Sequence, residues 1–394
     1  MPASSTPAAT PASTASPLPG RRSWREVLQV GSVFLRIGAT AFGGPAAHIA
    51  IMRHELVERR RWVSEQHFLD LLGATNLIPG PNSSEMTMHI GYLRAGLGGL
   101  LAGGIAFVLP GMVITLILAW VYTRYGTTPA ANWLLYGVKP VIIPLIVAAL
   151  WSLGRRAITG ALTALVGVLA LTLYFLGVNF VVVLIAGGLT VALGRRLGRG
   201  RALLPLPLLG MGVPVSAGGS SFSLLALAWT FFKIGALLYG SGYVLFAFMH
   251  AELVERHAWL SEQALIDAIA AGQMTPGPLS TTATFVGYLL AGVPGAVIAT
   301  AAFYLPAFAI VALSNPLIPR IRASAAISSL LDGVNVAALG LMAAVTWELA
   351  RAAFVDVYAI LLAGVAALLL WRFKVSAATL VILGAAGGLL SALL

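Results

Sequence analysis

Pro79-Gly80-Pro81-Asn82-Ser83-Ser84 and Pro276-Gly277-Pro278-Leu279-Ser280-Thr281 are the same element written twice, 197 residues apart. The offset extends outward in both directions. Glu55-Leu56-Val57-Glu58-Arg59 returns as Glu252-Leu253-Val254-Glu255-Arg256, Trp62 as Trp259, Ser64-Glu65-Gln66 as Ser261-Glu262-Gln263, and Asp70 as Asp267. After a single deletion the offset is 196, and Gly91-Tyr92-Leu93 matches Gly287-Tyr288-Leu289. A Pro-Gly-Pro cannot continue a helix, because each proline lacks an N–H and clashes with the preceding turn. Such a breaker inside an apolar stretch, present once per repeat, points to a membrane carrier with its site between two repeats.

Composition sets the environment. Hydrophobic residues make up 59% of the 394 residues and charged residues 9%, against about 25% charged in soluble proteins. Mean hydropathy is +0.92. Runs such as 97–121 and 131–152 are long enough for a bilayer, which takes about 20 apolar residues. They do not alternate polar and apolar, so the spans read as helices and not as β-barrel strands. Further spans are expected near 158–176, 178–194, 293–314, 328–350, 356–371 and 376–394. The sequence therefore predicts an all-α polytopic membrane protein of about ten spans, made of two homologous repeats. The expected organisation is a disordered tail over 1–23, a first repeat over 24–201, a linker over 202–221 and a second repeat over 222–394.

The net charge of +11 lies in short segments between apolar runs, which is how topology is selected. No basic patch is interleaved with aromatics, so nucleic acid is not an expected partner. There are no cysteines, hence no thiolate metal or redox site. Loop charge separates the repeats. Arg53, Arg59, Arg60 and Arg61 face the single Arg256, Arg94 faces Leu290, and Arg155-Arg156 face Arg351. The bias reverses where Arg124 faces Arg320 and Arg322, and where the stretch near Gly177 faces Arg372 and Lys374. Basic loops stay cytoplasmic, so equivalent loops of the two halves are expected on opposite sides, as in an inverted repeat. Whether the broken segments cross or return is open at this level.

The candidate binding residues follow from the breaks. Asn82, Ser83 and Ser84, and Ser280 and Thr281, sit where a helix restarts; exposed N–H groups and the helix dipole suit such a place to an anion. Plain N-capping explains the same residues. Asn76 and Gln273 match three positions before the breaks and can serve an oxyanion or the freed backbone. Arg36 and Lys233 match as intramembrane cations, Arg36 lying roughly 13 Å into its helix; substrate contact and snorkelling are the two readings. Glu85 and His89 share a helix face at i, i+4 and are candidates for proton coupling or for a structural polar pair. Glu55, Glu58, Glu252 and Glu255 read as exposed ion pairs.

Arg36-Ile37-Gly38 leading to Phe42-Gly43-Gly44-Pro45, then Ser64-Glu65-Gln66, Pro79-Gly80-Pro81 and Gly91-Tyr92, resembles the chromate transporter family in its long two-repeat form. The resemblance spans nearly the whole chain after the tail. It departs in the second copy, where Gly240-Ser241-Gly242 stands in place of Gly43-Gly44-Pro45. The resemblance implies a plasma-membrane carrier of the bacterial inner membrane that expels chromate, confers resistance and is driven by the proton gradient or membrane potential, as an antiporter would be. It implies halves of opposite orientation, agreeing with the loop charges. The expected substrate contacts are then Arg36, Gly43, Gly44, Asn76, Pro79, Gly80, Pro81, Asn82, Ser83, Ser84, Lys233, Gln273, Pro276, Gly277, Pro278, Ser280 and Thr281. No cofactor or metal is expected; the partners are a chromate- or sulfate-like oxyanion and the lipid bilayer, and a homodimer is compatible with the sequence. Sulfate uptake or exchange is the nearest alternative, because sulfate has the same shape and charge. An anion channel is another, and a membrane-embedded enzyme wants clustered carboxylates and histidines that six scattered His do not supply.

Overall fold

The structure is a computed structural model that describes residues 23–42, 44–75, 78–197, 222–239, 242–314 and 325–392. Gly43, Asn76, Gly240, Ser241, most of the N-terminal tail and the 202–221 linker lie outside them. The first half consists of α1 (Trp24–Thr40), α2 (Gly44–Arg53), α3 (Glu65–Thr75), α4 (Asn82–Tyr125), α5 (Pro129–Ala157), α6 (Ala161–Phe175) and α7 (Phe180–Arg196). The second half repeats them as α8 (Leu224–Leu237), α9 (Val244–Met249), α10 (Glu262–Met274), α11 (Thr282–Ser314), α12 (Ala325–Ala353), α13 (Val357–Phe373) and α14 (Ala377–Ser391). The two copies agree down to backbone details. α2 and α9 both run into a wide π-helical turn, His54–Arg59 and His250–Arg256. Arg61 and its match Ala258 both have positive φ, 52° and 51°.

Neither α4 nor α11 is one straight rod. At 1.5 Å per residue, the 44 residues of α4 would reach about 66 Å, twice a bilayer core. The chain instead reverses at Ala95-Gly96, where Gly96 takes φ 63° and ψ −149°. Gly91 lies against the carbonyl of Gly99, and a Cβ on Gly103 would come 2.7 Å from the carbonyl oxygen of Thr87. Residues eight apart in a continuous helix are about 12 Å apart and cannot touch. The arms 82–94 and 97–125 are therefore antiparallel, packed glycine on backbone. α11 does the same at Ala291-Gly292 (φ 60° and ψ −151° at the glycine), with Thr284 and Thr300 hydroxyls 2.8 Å apart across the arms.

The Pro-Gly-Pro breaks are also reversals. Tyr122 hydrogen-bonds Asp267 at 2.9 Å while its ring meets that of Phe285 at 5.3 Å. Asp267 lies before the second break and Phe285 after it. Along one axis they would be about 27 Å apart, beyond the reach of one tyrosine. The broken segments thus enter from one face and return to it. α1 runs parallel to the long arm of α4, with Val27 at Gly98, Gly31 at Ala102 and Gly38 at Phe107. Its break after Ala41 then falls roughly 20 Å from the Ala95-Gly96 turn, about halfway along the long arm. α2 returns from there to the same face, where Trp62 receives Arg60 and Arg94, each 5.6 Å from its ring.

The second half is inverted. Along the long arms of α4 and α11 numbers run in opposite senses: Gly104 meets Phe308, and Tyr122 meets Phe285, which is level with Thr300. Four helices in each half, α4 (long arm) through α7 and α11 (long arm) through α14, run the length of the bundle. Because four is even, each half ends on the face where it began. Arg195, near the end of α7, reaches Thr159 and Asp332 on one face; Phe222, before α8, packs on Trp259 at the other.

The halves exchange their outer helices. α5 packs against α13 and α14 of the other half, and α12 against α6 and α7. Glycines make the crossings close: Gly137 lies on Gly384 and Gly388, and Gly333 on Gly187 and Gly188.

Two measurements check this architecture. With no native cysteine, Arg59→Cys and Arg256→Cys are expected to react with an impermeant maleimide from opposite membrane faces; labelling from one face only would overturn the inversion. Gly99→Ala is expected to cost roughly 1–3 kcal/mol by overpacking the arms of α4, read as a lower Tm in detergent, and an unchanged Tm would mean the arms do not touch.

Candidate functional site

Four helix breaks meet in the interior, and the backbone itself ties them together. Between its two prolines Gly80 has the one N–H of its tip, and it donates to the carbonyl of Leu238 at 2.7 Å. Gly277 donates to the carbonyl of Ala41 at 2.9 Å. These are the same bond in the two halves, each joining the Pro-Gly-Pro of one repeat to the first break of the other. Both glycines have positive φ, 145° and 88°, which side chains rarely tolerate. A Cβ on Gly80 would also overlap the Glu85 carboxyl. His48 lies buried beside the same acceptor, its Nε2 3.2 Å from the Ala41 oxygen.

The residues after each break face one cavity of about 390 Å³. Pro45, Asn82 and Ser83 come to it from the first half, and Tyr243, Pro278 and Ser280 from the second. Helices restart at these points, so their first N–H groups have no intrahelical acceptor, and two positive dipole ends look into one space. The hydroxyl residues Ser83, Ser152, Tyr243 and Ser280 line it; behind them Tyr304 pairs with Ser280, and Thr275 lies 3.4 Å from both Thr115 and Thr281. Gly44, at φ 78°, is 3.4 Å by its Cβ position from the Tyr243 hydroxyl, which in turn bonds to buried Gln273. Among the described residues no acidic side chain lines the cavity and Arg156, in the last turn of α5, is its one cation, with no carboxylate paired to it. The cavity runs beside Ser152, Leu153 and Arg156 towards the face that carries Arg60, Arg94 and Arg195. A smaller space of about 220 Å³, lined by Arg156, Tyr239, Asp332 and Asn335, adjoins it.

Other expected residues are placed elsewhere. Arg36 is on the exposed outer side of α1. Lys233 is bound to Glu252 at 2.6 Å. Neither lines the cavity. Glu252 is fully buried and also meets Arg256 at 3.2 Å, so it is an internal anchor where an exposed loop charge was expected. Its match Glu55 binds Arg59 and Arg60 and stays only partly buried; those two guanidiniums hold the carboxyl below the usual carboxylate range against the opposing effect of burial. Glu85 and His89 are fully buried on one face of α4, with Glu85 behind the Gly80 tip and neither of its oxygens hydrogen-bonded to a described residue. Ser84 and Thr281 are buried just behind the cavity wall. Pro79 and Pro276 shape the tips, Pro276 resting its carbonyl against Gly111.

The model of the chromate transporter family matches residues 28–192 and again residues 225–390. The chain belongs to the chromate transporter family. It is 32% identical over 374 residues to the chromate transport protein of Cupriavidus metallidurans, covering 91% of each chain. A probable chromate transport protein of Synechococcus elongatus is 30% identical over 92% of this chain and 95% of its own. The chromate transport protein of Pseudomonas aeruginosa is 31% identical over 91% of each. No solved structure matches the fold.

Arg156 is the residue that sequence reading passed over, being taken as a topology charge beside Arg155. A signal existed: its match in the second half is Ala352, so one repeat carries a cation at a span end where the other carries a methyl. Arg156→Gln is expected to weaken anion affinity by roughly ten- to a hundredfold, the loss of a charge-assisted contact worth about 1.5–3 kcal/mol. Arg155→Gln serves as the neighbouring control, and equal effects of the two on apparent affinity would remove Arg156 from the site.

Proposed function

We propose that this chain carries a tetrahedral divalent oxyanion, chromate, out of the cell across the bacterial inner membrane, coupled to the proton gradient or the membrane potential. The observation that supports it is the cavity at the four breaks, which offers two helix N-termini, several hydroxyls and the Arg156 guanidinium, with no lining carboxylate among the described residues. A dianion leaving water needs donors on all sides, and dipole ends supply them without many formal charges. The names of the relatives, chromate transport proteins, agree with that chemistry.

Loop charge supports the outward direction. The face with Arg59, Arg60, Arg94, Arg155, Arg156 and Arg195 is the more basic one, hence cytoplasmic by the distribution of loop charge. The cavity leads to that face, so it loads from the cytoplasm, as an exporter conferring resistance does. Glu85 is the carboxyl nearest the tip and is the candidate to exchange a proton as the Gly80 break moves.

Chromate flux into everted vesicles, with and without an imposed proton gradient, tests the proposal; saturable, gradient-dependent uptake is expected. Sulfate is the competitor to include, since it fits the same donors, and sulfate flux without chromate flux would overturn the substrate. Glu85→Gln is expected to keep anion binding and flatten the dependence of flux on the proton gradient. A variant with wild-type gradient dependence would leave Glu85 a buried structural residue.

A further inference from the structure

The repeats share a fold but not a position. In the second half α10 is seated. Gln263 donates to the carbonyl of Ala352, at the end of α12, at 2.7 Å. Asp267 accepts from Tyr122 and faces Lys139 Nζ at 3.5 Å, and residues 265–273 are buried throughout. In the first half α3 packs instead on its own half, through Phe68 and Leu71. Glu65, Gln66, His67 and Leu69 are exposed. Gln66 donates to Asp70 of its own helix at 3.4 Å. The carbonyl that corresponds to Ala352 is that of Arg156, beside the open cavity, and the residue that corresponds to Lys139 is Asn335. Asn335 lines the space next to Arg156, and its Oδ1 is shielded from solvent and accepts no hydrogen bond from a described residue.

We infer that transport exchanges these two arrangements: α10 leaves its seat while α3 takes the matching seat on α5, Gln66 donating to the Arg156 carbonyl and closing the cavity on the basic side. The inference rests on the transport reading above. Inverted repeats have two arrangements of near-equal energy, because each half can take the shape of the other. The seats are not equal, however. The one occupied here holds the Asp267–Lys139 ion pair, whereas α3 would set Asp70 against neutral Asn335. The ion pair favours the arrangement open to the basic face, and that is the one observed. Gln66 and Gln263 are on this account positioning residues: neither touches the cavity in this arrangement, and each reports which side is shut.

Two cysteine pairs test it in the otherwise cysteine-free chain, with disulfides read by mass spectrometry. Gln263→Cys/Ala353→Cys bridges the occupied seat and is expected to cross-link at rest. Gln66→Cys/Ala157→Cys bridges the empty one; Cα atoms more than about 7 Å apart cannot be joined, so it is expected to accumulate slowly at rest, as excursions are trapped, and faster during chromate flux. Either cross-link should lower flux by about tenfold or more, restored by reductant. The inference is overturned if the Gln66 pair never forms in membranes where the Gln263 pair does, if it forms at rest as fast as the Gln263 pair, or if cross-linked protein transports at the reduced rate. The resting time course needs no substrate. A parent chain that moves no chromate would therefore end the substrate reading and leave the exchange to be judged on that time course.

Discussion

Two hydrogen bonds, Gly80 N–H to the Leu238 carbonyl and Gly277 N–H to the Ala41 carbonyl, hold the centre of this protein. Breaking four helices inside an apolar bundle frees backbone groups that lipid cannot satisfy, at several kcal/mol each. The prolines on either side of each glycine remove two N–H donors from the problem. The remaining donor of each tip finds the carbonyl left by the break in the opposite half. Each half thus completes the other, and the cavity lies where the four ends come together. Side chains reinforce the arrangement without replacing it, as His48 does beside Ala41 and Tyr304 does beside Ser280.

The charges are few and mostly occupied in holding loops. Arg53 reaches both Glu58 and Glu65, at 2.6 and 2.7 Å, but on an exposed surface such pairs contribute little. Glu252 differs. Buried with Lys233 against it and Arg256 within 3.2 Å, it ties α8 to the turn after α9, and removing one partner from such a cluster strands the others. Arg156 shares with Arg36, Arg61, Arg124 and Arg155 the lack of a carboxylate partner among the described residues; what sets it apart is its place in the cavity wall.

Much of this was legible in the sequence. The constant offset gave the two repeats, and the mean hydropathy and uninterrupted runs gave helices in a membrane. The opposed counts of arginine at Arg59-Arg60 and Arg256 gave the inversion. What local reading left open was whether a broken segment crosses or turns back. That is decided by long-range contacts, such as Tyr122 touching residues on both sides of the second break. The reversals at Ala95-Gly96 and Ala291-Gly292 fall where the expected spans 97–121 and 293–314 begin, so the boundaries themselves were legible. Arg94 marks the first of them, whereas the second has no charged neighbour; what stayed hidden was how closely the arms pack, because the glycines that let them meet look like ordinary small residues. Matching positions also overstated equivalence. Arg36 and Lys233 align, yet one faces outward and the other is consumed by Glu252, because burial depends on which neighbour covers each helix and not on the repeat.

The exchange of outer helices has a consequence for how such a chain can arise. A single repeat would leave the Gly80 N–H and the Ala41 carbonyl without partners, and its α5 without the helices that enclose it. It could not be stable alone. It would need a partner half inserted upside down, supplied by a copy of itself that enters the membrane both ways round or by a second chain of opposite orientation. Fusing two such copies end to end fixes one orientation for each, and the unequal arginines of the present loops are what a pair needs once its members can no longer trade places. After fusion the members are also free to diverge, which lets Arg156 stand opposite an alanine and Lys139 opposite an asparagine.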